Sequence, residues 1–343
     1  MHFEPTRLTL ARRRRGLSLT ALAQLTGTTS RSISAYENGE WTPNSDSIQA
    51  IASSLDFPPE FFLAPAIDEV PVDSVSFRAL SKMTARQRDA ALGAGAIAAL
   101  IDSWIQERFT LPRADLPSLT GYDPELAAET LRAKWGLGVR PLGNTVHLVE
   151  SKGVRVYSLP HDTANLDAFS LFRSERPYIF INTQKSGERG RFDVAHELGH
   201  LILHQEHLPV HGPAAESEAN KFAAAFLMPK GSVLAKGLHN ASVAETLKAK
   251  TTWQVAAMAL THRLHELDLL TDWGYRANCV QLSRMGYRSS EPNGIPRETS
   301  QLLSKVLKEL RREGTTTSRL AGELNISQQD LTSHLFGLTL MAA

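Results

Sequence analysis

The segment of residues 192–200, with its His-Glu-x-x-His pattern, constrains this chain more than any other stretch of the sequence. Apolar side chains recur around it at helical spacing, and side chains four residues apart on a helix lie on one face. The imidazoles of His196 and His200 can therefore meet at a single metal ion. Two neutral imidazoles suit zinc, and a catalytic zinc site takes a third protein ligand while keeping one position for water. Glu197, on the same turn, is the candidate general base.

The third ligand has to come from outside this pattern. One class of zinc peptidases uses a third histidine six residues after the second, but Glu206 stands at that position here. His204 continues the same helix face, yet it lies two turns from His196, about 12 Å along the axis, which is too far to share one ion. We expect His204 to orient a ligand or to pack against one. The remaining candidate is a carboxylate from a second helix.

That second helix is predicted over residues 216–229, and Pro229 ends it. Glu216 and Asn220 are four residues apart, so Glu216 can bind the ion while Asn220 orients a ligating imidazole. This pairing favours Glu216 over Glu218 as the third ligand.

The two predicted helices carry a dense set of motif residues within residues 180–230. They are Arg191-Phe192, Ala195-His196-Glu197-Leu198-Gly199-His200, Glu216-x-x-Ala219-Asn220-x-Phe222-Ala223 and Leu227-Met228-Pro229. With these residues the segment resembles the ImmA/IrrE family of metallopeptidases. The resemblance implies a soluble, zinc-dependent peptidase with a zincin-like core, in which the first Glu of the second helix, here Glu216, is the third zinc ligand. Several members of that family cleave a DNA-binding repressor and so induce a mobile element or a stress response.

Three short strands are predicted ahead of the His-Glu-x-x-His helix, over residues 154–159, 167–172 and 177–182. They indicate a small sheet beside that helix. Arg189 and Arg191 stand between the last strand and the motif. Two roles remain open for these arginines: holding a substrate or its developing charge, and forming ion pairs at the start of the helix.

The N-terminal part of the chain, residues 5–62, has the pattern of several short helices. Thr26-Gly27-Thr28 forms the corner between the second and third helices, where glycine supplies the dihedral angles of a tight turn. The motif residues are Leu22-Ala23-x-x-Thr26-Gly27-Thr28-Thr29-x-x-Ser32-Ile33-Ser34-x-Tyr36-Glu37-Asn38-Gly39-x-x-x-Pro43. This segment resembles the Cro/C1-type (XRE) helix-turn-helix family.

By that resemblance, the third helix enters the major groove of double-stranded DNA with its first residues over the bases. Among these residues, Arg31 can pair with a guanine through two hydrogen bonds. The residues expected to read the bases are Thr29, Ser30, Arg31 and Ser34.

A second group in the same segment is expected at phosphates, which position a protein on DNA without selecting sequence. It comprises Ser18, Asn38 and the four arginines at residues 12–15. A module of this type usually needs a homodimer to span two half-sites. The alternative interpretation is a small helical domain that docks a protein instead of DNA.

Composition excludes several classes of protein. The 343 residues suffice for two or three domains, and 37 Lys and Arg against 36 Asp and Glu leave almost no net charge. DNA contact must therefore come from a local patch. The single cysteine, Cys279, excludes a disulfide framework and a cysteine-based metal site. No signal peptide is visible, and the longest apolar run, residues 91–101, is too short to span a bilayer, so we expect a cytoplasmic protein without membrane contact.

These patterns predict an α+β multidomain chain with four parts. They are an all-α helix-turn-helix domain at 1–65, a helical linker at 66–120, a zincin-like peptidase domain with a small sheet at 121–235, and a helical C-terminal region at 236–343. Within the linker, a short strand is predicted at 70–77 and a long helix at 83–108.

The C-terminal region is predicted to be helical at residues 242–249, 252–268 and 298–313. Residues 316–338 have the spacing of another helix-turn-helix, although many helical hairpins share that spacing. We expect the region to pack on the peptidase core, to cover its cleft or to sense a signal. DNA contact by residues 316–338 is the alternative.

Together the two resemblances imply a DNA-binding transcriptional regulator with a zinc-dependent metallopeptidase domain that cleaves a repressor or another regulatory protein. Its expected partners are operator DNA, that substrate protein and a second copy of the chain. Two alternatives remain open. In one, the chain is an XRE-type transcription factor without enzyme activity, whose peptidase fold serves as a sensor. In the other, it is the DNA-binding antitoxin of a two-gene module, whose peptidase fold docks a toxin.

Overall fold

A computed structural model describes residues 2–67, 75–77, 84–160, 166–173, 175–205 and 212–339. The helices, in chain order, are α1 (Pro5–Arg14), α2 (Leu19–Thr26), α3 (Ser30–Glu37), α4 (Ser45–Leu55), α5 (Ala85–Arg108), α6 (Pro124–Lys134), α7 (Thr145–Ser151), α8 (Gly187–Leu203), α9 (Pro213–Leu227), α10 (Lys230–Leu234), α11 (Val243–Trp253), α12 (Ala257–Glu266), α13 (Asp272–Arg284), α14 (Gln301–Arg312), α15 (Thr317–Leu324) and α16 (Gln328–Leu335). The strands are β1 (Val75–Phe77), β2 (Arg155–Ser158), β3 (Ala168–Arg173) and β4 (Arg176–Ile181). This content of helices with a small sheet confirms the predicted α+β class.

The chain forms two compact units. Unit 1 comprises the described parts of Met1–Leu111, Tyr157–Leu166 and Gln301–Ala343, and unit 2 comprises those of Pro112–Val156 and Asp167–Ser300. The two units do not test the division of the sequence into four consecutive segments, because each unit combines segments that are distant along the chain. The four-part division therefore stays a prediction. Residues 236–300 of the predicted C-terminal region belong to unit 2, together with the helix of the His-Glu-x-x-His pattern, whereas the helices from Gln301 onward belong to unit 1.

The first helices of unit 1 form the predicted helix-turn-helix. Ser18 precedes α2 and accepts the backbone N–H of Ala21 at 3.1 Å, and Thr29 caps α3 in the same way. Between these helices Gly27 has φ 65°, a left-handed conformation that glycine adopts without strain. The apolar side chains buried in this part include Leu8, Leu22, Ile33, Ile51 and Leu55.

A buried carboxylate joins the C-terminal helices of unit 1 to its first helix. Asp330, on α16, is fully buried and lies 2.9 Å from Arg14 Nη2 and 2.7 Å from Arg15 Nη2. Ser327 donates its hydroxyl to the same carboxylate at 3.0 Å. Burial alone would raise the pKa of Asp330, but the charges of Arg14 and Arg15 outweigh it and hold the pKa below the usual aspartate value. The ion pairs therefore fix α16 against the end of α1.

Unit 2 is built around the close packing of α8 on α9. Where they meet, a Cβ on Gly199 would come within 2.9 Å of the Phe222 ring and within 3.4 Å of the Cα of Ala219. Glycine at this position therefore permits the approach of the two backbones. β3 packs on α8 and pairs antiparallel with β4, with Ser170 opposite Ile179.

The single helix predicted over residues 252–268 is wrong. α11 ends at Trp253, because Gln254 has φ 55°, a left-handed conformation that stops a helix, and α12 begins at Ala257. The apolar periodicity across the break is real, since Trp253 and Leu264 are buried, but two helices supply it. A further helix that the sequence did not indicate, α13, follows.

The predicted linker contributes one long helix to unit 1. The helix expected at residues 83–108 is α5. The strand expected at 70–77 lies largely outside the described residues, which include its end as β1. In the part of the chain that the structure describes, no helix is both long enough and apolar enough to cross a membrane.

We expect Asp330→Asn to destabilise unit 1 by about 3–5 kcal/mol, because two largely buried guanidinium groups lose their counter-charge. A depressed pKa means that this stabilisation is present above the unfolded-state pKa of about 3.9 and is lost as the pH falls through the lower folded-state value. Denaturant unfolding measures the loss, and hydrogen exchange of the α1 and α16 amides locates it. Glu313→Gln removes an exposed carboxylate of the same unit and is the control. Unchanged protection of α1 in Asp330→Asn would contradict the role of the ion pairs.

Candidate metal centre and DNA-contact residues

The His-Glu-x-x-His pattern lies on α8, inside unit 2. His196, Glu197 and His200 are all buried, with at most 4% of each side chain exposed. Burying a polar or charged group is unfavourable unless the group is hydrogen-bonded or bound to an ion. The partners of these three side chains therefore indicate what the site is built to hold.

Ion pairs surround the start of α8. Arg191 is buried and pairs with Glu298. Arg189 places Nη2 2.8 Å from Asp167 Oδ2 and Nε 3.2 Å from Asp193 Oδ1. Of the two roles left open by the sequence, these contacts favour the ion pairs at the helix start.

Three candidate ligands converge on one point in unit 2. Nε2 of His196 and Nε2 of His200 are 3.1 Å apart. Glu216, in the first turn of α9, places Oε2 3.4 Å from His196 Nε2 and Oε1 3.3 Å from His200 Nε2. Together these side chains form a group that could hold a metal ion. The structure thus brings together the three side chains that the sequence proposes as ligands.

Asn220 fixes the orientation and tautomer of His196. Its Oδ1 lies 3.1 Å from His196 Nδ1. An amide oxygen only accepts hydrogen bonds, so Nδ1 of His196 carries the hydrogen and donates it. In the neutral ring, Nε2 then presents a lone pair to the cluster, as a metal ligand must.

His204 does the same for His200, through a longer chain of hydrogen bonds. His204 Nε2 lies 2.9 Å from the carboxylate of Glu218, which accepts, and His204 Nδ1 lies 3.0 Å from His200 Nδ1. A neutral His204 that donates from Nε2 accepts at Nδ1, so His200 donates from Nδ1 and its Nε2 carries a lone pair. Glu218, the less favoured ligand candidate, therefore lies at the outer end of this chain and not at the cluster.

The protonation states of the cluster suit a cation. Burial lowers the pKa of His200 to about 4, although the nearby Glu216 carboxylate acts in the opposite direction, so the ring is neutral near pH 7. Burial would raise the pKa of Glu216, but its close contacts with the imidazoles of His196 and His200 outweigh that effect and lower the value to about 2. The carboxylate is therefore ionised at the same pH.

The geometry and chemistry of these donors fit a tetrahedral metal ion. Two lone pairs and a carboxylate that face one another repel unless a cation lies between them. Ligand atoms bound at about 2.0–2.1 Å in a tetrahedral zinc site are about 3.3 Å apart, close to the three separations found here. His₂Glu is also one of the ligand sets of catalytic zinc.

Ser170 of β3 holds the candidate general base in place. Its hydroxyl donates to Glu197 Oε2 at 2.7 Å, and all of this contact is buried. Glu197 thus has different partners from Glu216, although both carboxylates belong to the same site. Ser170 could not be recognised from the sequence as a partner of Glu197, because it lies on a strand and belongs to no motif with α8. The structure places it in β3, opposite Ile179.

The residues expected to read DNA lie on or next to the exposed side of α3. Arg31 and Thr29 are exposed, whereas Ser30 and Ser34 are half-buried. Thr29 also caps α3, and Ser30 lies 3.4 Å from the Thr20 hydroxyl. The structure therefore leaves Arg31 as the longest polar side chain at the start of this helix.

Two of the expected phosphate contacts remain exposed. Ser18 caps α2, and Asn38 follows the end of α3. For three of the four arginines the expectation is corrected, because Arg12 pairs with Glu37 at 2.6 Å and Arg14 and Arg15 pair with Asp330. These three guanidinium groups form ion pairs with carboxylates inside unit 1, so the three arginines are not placed to contact phosphates. For Arg13 the expectation stays a prediction.

Two family models match separate parts of the chain. The model described as helix-turn-helix matches residues 8–62, and the model described as IrrE N-terminal-like domain matches residues 149–265. The first range contains α2 and α3, and the second contains the whole His196, His200 and Glu216 cluster. None of the curated proteins compared with the chain matches it. Both resemblances found in the sequence are confirmed.

We expect Asn220→Ala to weaken zinc binding by about 10- to 100-fold, because His196 loses the acceptor that fixes its ring and tautomer. Competition with a chromophoric chelator measures the affinity of the purified chain for Zn²⁺. Lys221→Ala changes an exposed neighbour on the same helix and serves as the control. Equal affinities of Asn220→Ala and the parent would show that the amide does not support a ligand.

Proposed function

We propose that this chain, which joins an XRE-type helix-turn-helix domain to an ImmA/IrrE-type domain, is a DNA-binding transcriptional regulator that cleaves a repressor or another regulatory protein with a zinc-dependent peptidase site. The observation that carries the proposal is the convergence of His196, His200 and Glu216 beside the buried Glu197. An inert scaffold has no need for two buried imidazole lone pairs and a carboxylate at one point.

His196, His200 and Glu216 would hold the zinc ion, which when bound acts as a Lewis acid toward water and the peptide carbonyl group. Asn220 and His204 keep the two imidazoles in the tautomer that presents Nε2. Ligation by neutral imidazole is possible near pH 7 because the low pKa of His200 leaves its ring unprotonated.

Glu197 would take the proton from the attacking water at its carboxylate and deliver it to the departing amine nitrogen. The hydrogen bond from Ser170 to Glu197 Oε2 sets the direction of that carboxylate. Burial of the carboxylate keeps bulk water from competing for the proton.

The helix-turn-helix domain gives the regulator its DNA contact. We place α3 in the major groove, with Thr29, Ser30, Arg31 and Ser34 toward the bases and with Ser18 and Asn38 toward phosphates. A homodimer would place two copies of α3 on two half-sites. DNA contact also supports the expectation that the chain works in the cytoplasm.

We expect Glu197→Gln to retain the fold and the metal and to lose cleavage by about 10²- to 10⁴-fold, the usual contribution of a general base. Host cells producing the parent or Glu197→Gln would be compared by mass spectrometry for new internal N-termini in proteins. Ser170→Ala should reduce kcat less and leave KM unchanged, because it alters only the direction of the base. Identical N-termini in the parent and in Glu197→Gln would contradict the peptidase assignment and leave a sensor or a toxin-docking module.

We expect Arg31→Ala to relax base selection at one position of the binding site, with a loss of about 1–3 kcal/mol against the preferred base. Selection from a randomised duplex pool by the full chain, followed by affinity measurements at fixed salt, gives both quantities. Lys236→Ala, at an exposed lysine of unit 2, is the control. An unchanged selected sequence in Arg31→Ala would show that α3 does not read DNA at this residue.

A further inference from the structure

The last three helices of the chain repeat the first three. We call α1–α3 the first module and α14–α16 the second module. The helices α2, α3, α15 and α16 are each eight residues long. One residue joins the end of each first helix to a left-handed glycine: Gly16, with φ 59°, and Gly314, with φ 74°. Both glycines donate their N–H back into the preceding helix, to Arg13 and Arg311.

The caps of the two modules stand at the same places. The hydroxyl of Thr316 accepts the N–H three residues later at the start of α15, as Ser18 does at the start of α2. Likewise, Ser327 accepts an N–H at the start of α16, as Thr29 does for α3. Because the caps stand at matching positions, α2 and α15 begin at corresponding positions of the two modules, and so do α3 and α16.

The corner between the two helices is also the same. Gly27 in the first module and Asn325 in the second are both left-handed, with φ 65° and φ 54°. The residue after each donates its N–H to the alanine carbonyl oxygen five positions earlier, Thr28 to Ala23 and Ile326 to Ala321. Asparagine is the residue that most readily replaces glycine in this conformation.

Three buried apolar positions of the first module have buried apolar counterparts in the second. Each module buries a leucine and an alanine in its second helix and a branched apolar side chain in its third. The pairs are Leu22 with Leu320, Ala23 with Ala321, and Ile33 with Leu331. Matching lengths, caps, corner and core together define a second helix-turn-helix, which is more than a hairpin of similar spacing requires.

The third helix of the second module has one face inside unit 1 and one face outside. Asp330 and His334 are fully buried, whereas the same positions in α3 are half-buried. The opposite face carries Gln328 and Gln329, both exposed, and Thr332, half-buried. These three residues occupy the positions that Ser30, Arg31 and Ser34 hold in α3.

We infer that the second module is a second DNA-contact site, in which Gln328, Gln329 and Thr332 at the start of α16 read base edges. Glutamine forms two hydrogen bonds with adenine, and threonine contacts the thymine methyl group, so an A·T-containing sequence is the expected ligand. The exposed Thr316, which precedes α15, would contact a phosphate.

This inference rests on the proposed DNA binding and extends it to the other end of the chain. Asp330 ties the second module to Arg14 and Arg15 of the first, so both third helices belong to one compact unit. One copy of the chain would then read two blocks of bases, where a single helix-turn-helix needs a second copy.

The test uses the full chain and a randomised duplex DNA pool of about 30 base pairs as the probe. Sequences selected by the parent would be footprinted and their affinities measured with the parent, with Arg31→Ala and with the double variant Gln328→Ala, Gln329→Ala. Gln281→Ala, at an exposed glutamine of α13, is the matched control. The double variant removes only exposed side chains, and circular dichroism would verify its fold.

We expect two separate blocks in the selected sequence. Arg31→Ala should abolish preference in one block, and the double variant should abolish it in the other, with a loss of affinity of about 10- to 100-fold. A folded double variant with the footprint and affinity of the parent would overturn the inference, and the second module would then be a packing element of unit 1. A parent that selects no sequence would count against the proposed DNA regulator as well, so the two failures are distinguishable.

Discussion

The candidate site of unit 2 depends on the convergence of three electron-pair donors on one point. Two imidazole Nε2 atoms lie 3.1 Å apart, with a carboxylate 3.3–3.4 Å from both, and a cation between them is the arrangement that relieves the repulsion. Gly199 makes this possible, because a side chain there would push α9, and with it Glu216, away from α8. The outer partners, Asn220 and His204, then decide which nitrogen of each ring faces inward.

Local spacing explains why the sequence alone could propose so much of this cluster. His196 and His200 are four residues apart on one helix, and so are Glu216 and Asn220 on another, so each pair shares a face once its helix is recognised. The roles of these residues as ligands and supports stay predictions, although the structure places them together. Ser170 could not be found in this way, because it reaches Glu197 from a strand and its role depends on tertiary packing.

The fold shows the same limit. The helix-turn-helix and the helix pair of the metal centre were predicted because caps, glycines and apolar periodicity lie within a few residues of one another. The break at Gln254 was missed, since a glutamine in the left-handed conformation carries no sequence signal. The pairing of Asp330 with Arg14 and Arg15 was missed too, because the partners come from opposite ends of the chain. Arg14 and Arg15, which we expected at phosphates, therefore form an internal contact of unit 1.

Elemental analysis tests most directly whether His196, His200 and Glu216 form a metal site. The full chain and His200→Ala would be purified in parallel, incubated with zinc, freed of excess ion and compared by mass spectrometry for metals, with circular dichroism to verify the fold. The structure predicts about one zinc ion per parent chain and a loss of that ion in a folded His200→Ala variant. A parent chain that retains no metal after the incubation would contradict the account and leave a DNA-binding regulator with an inert second domain.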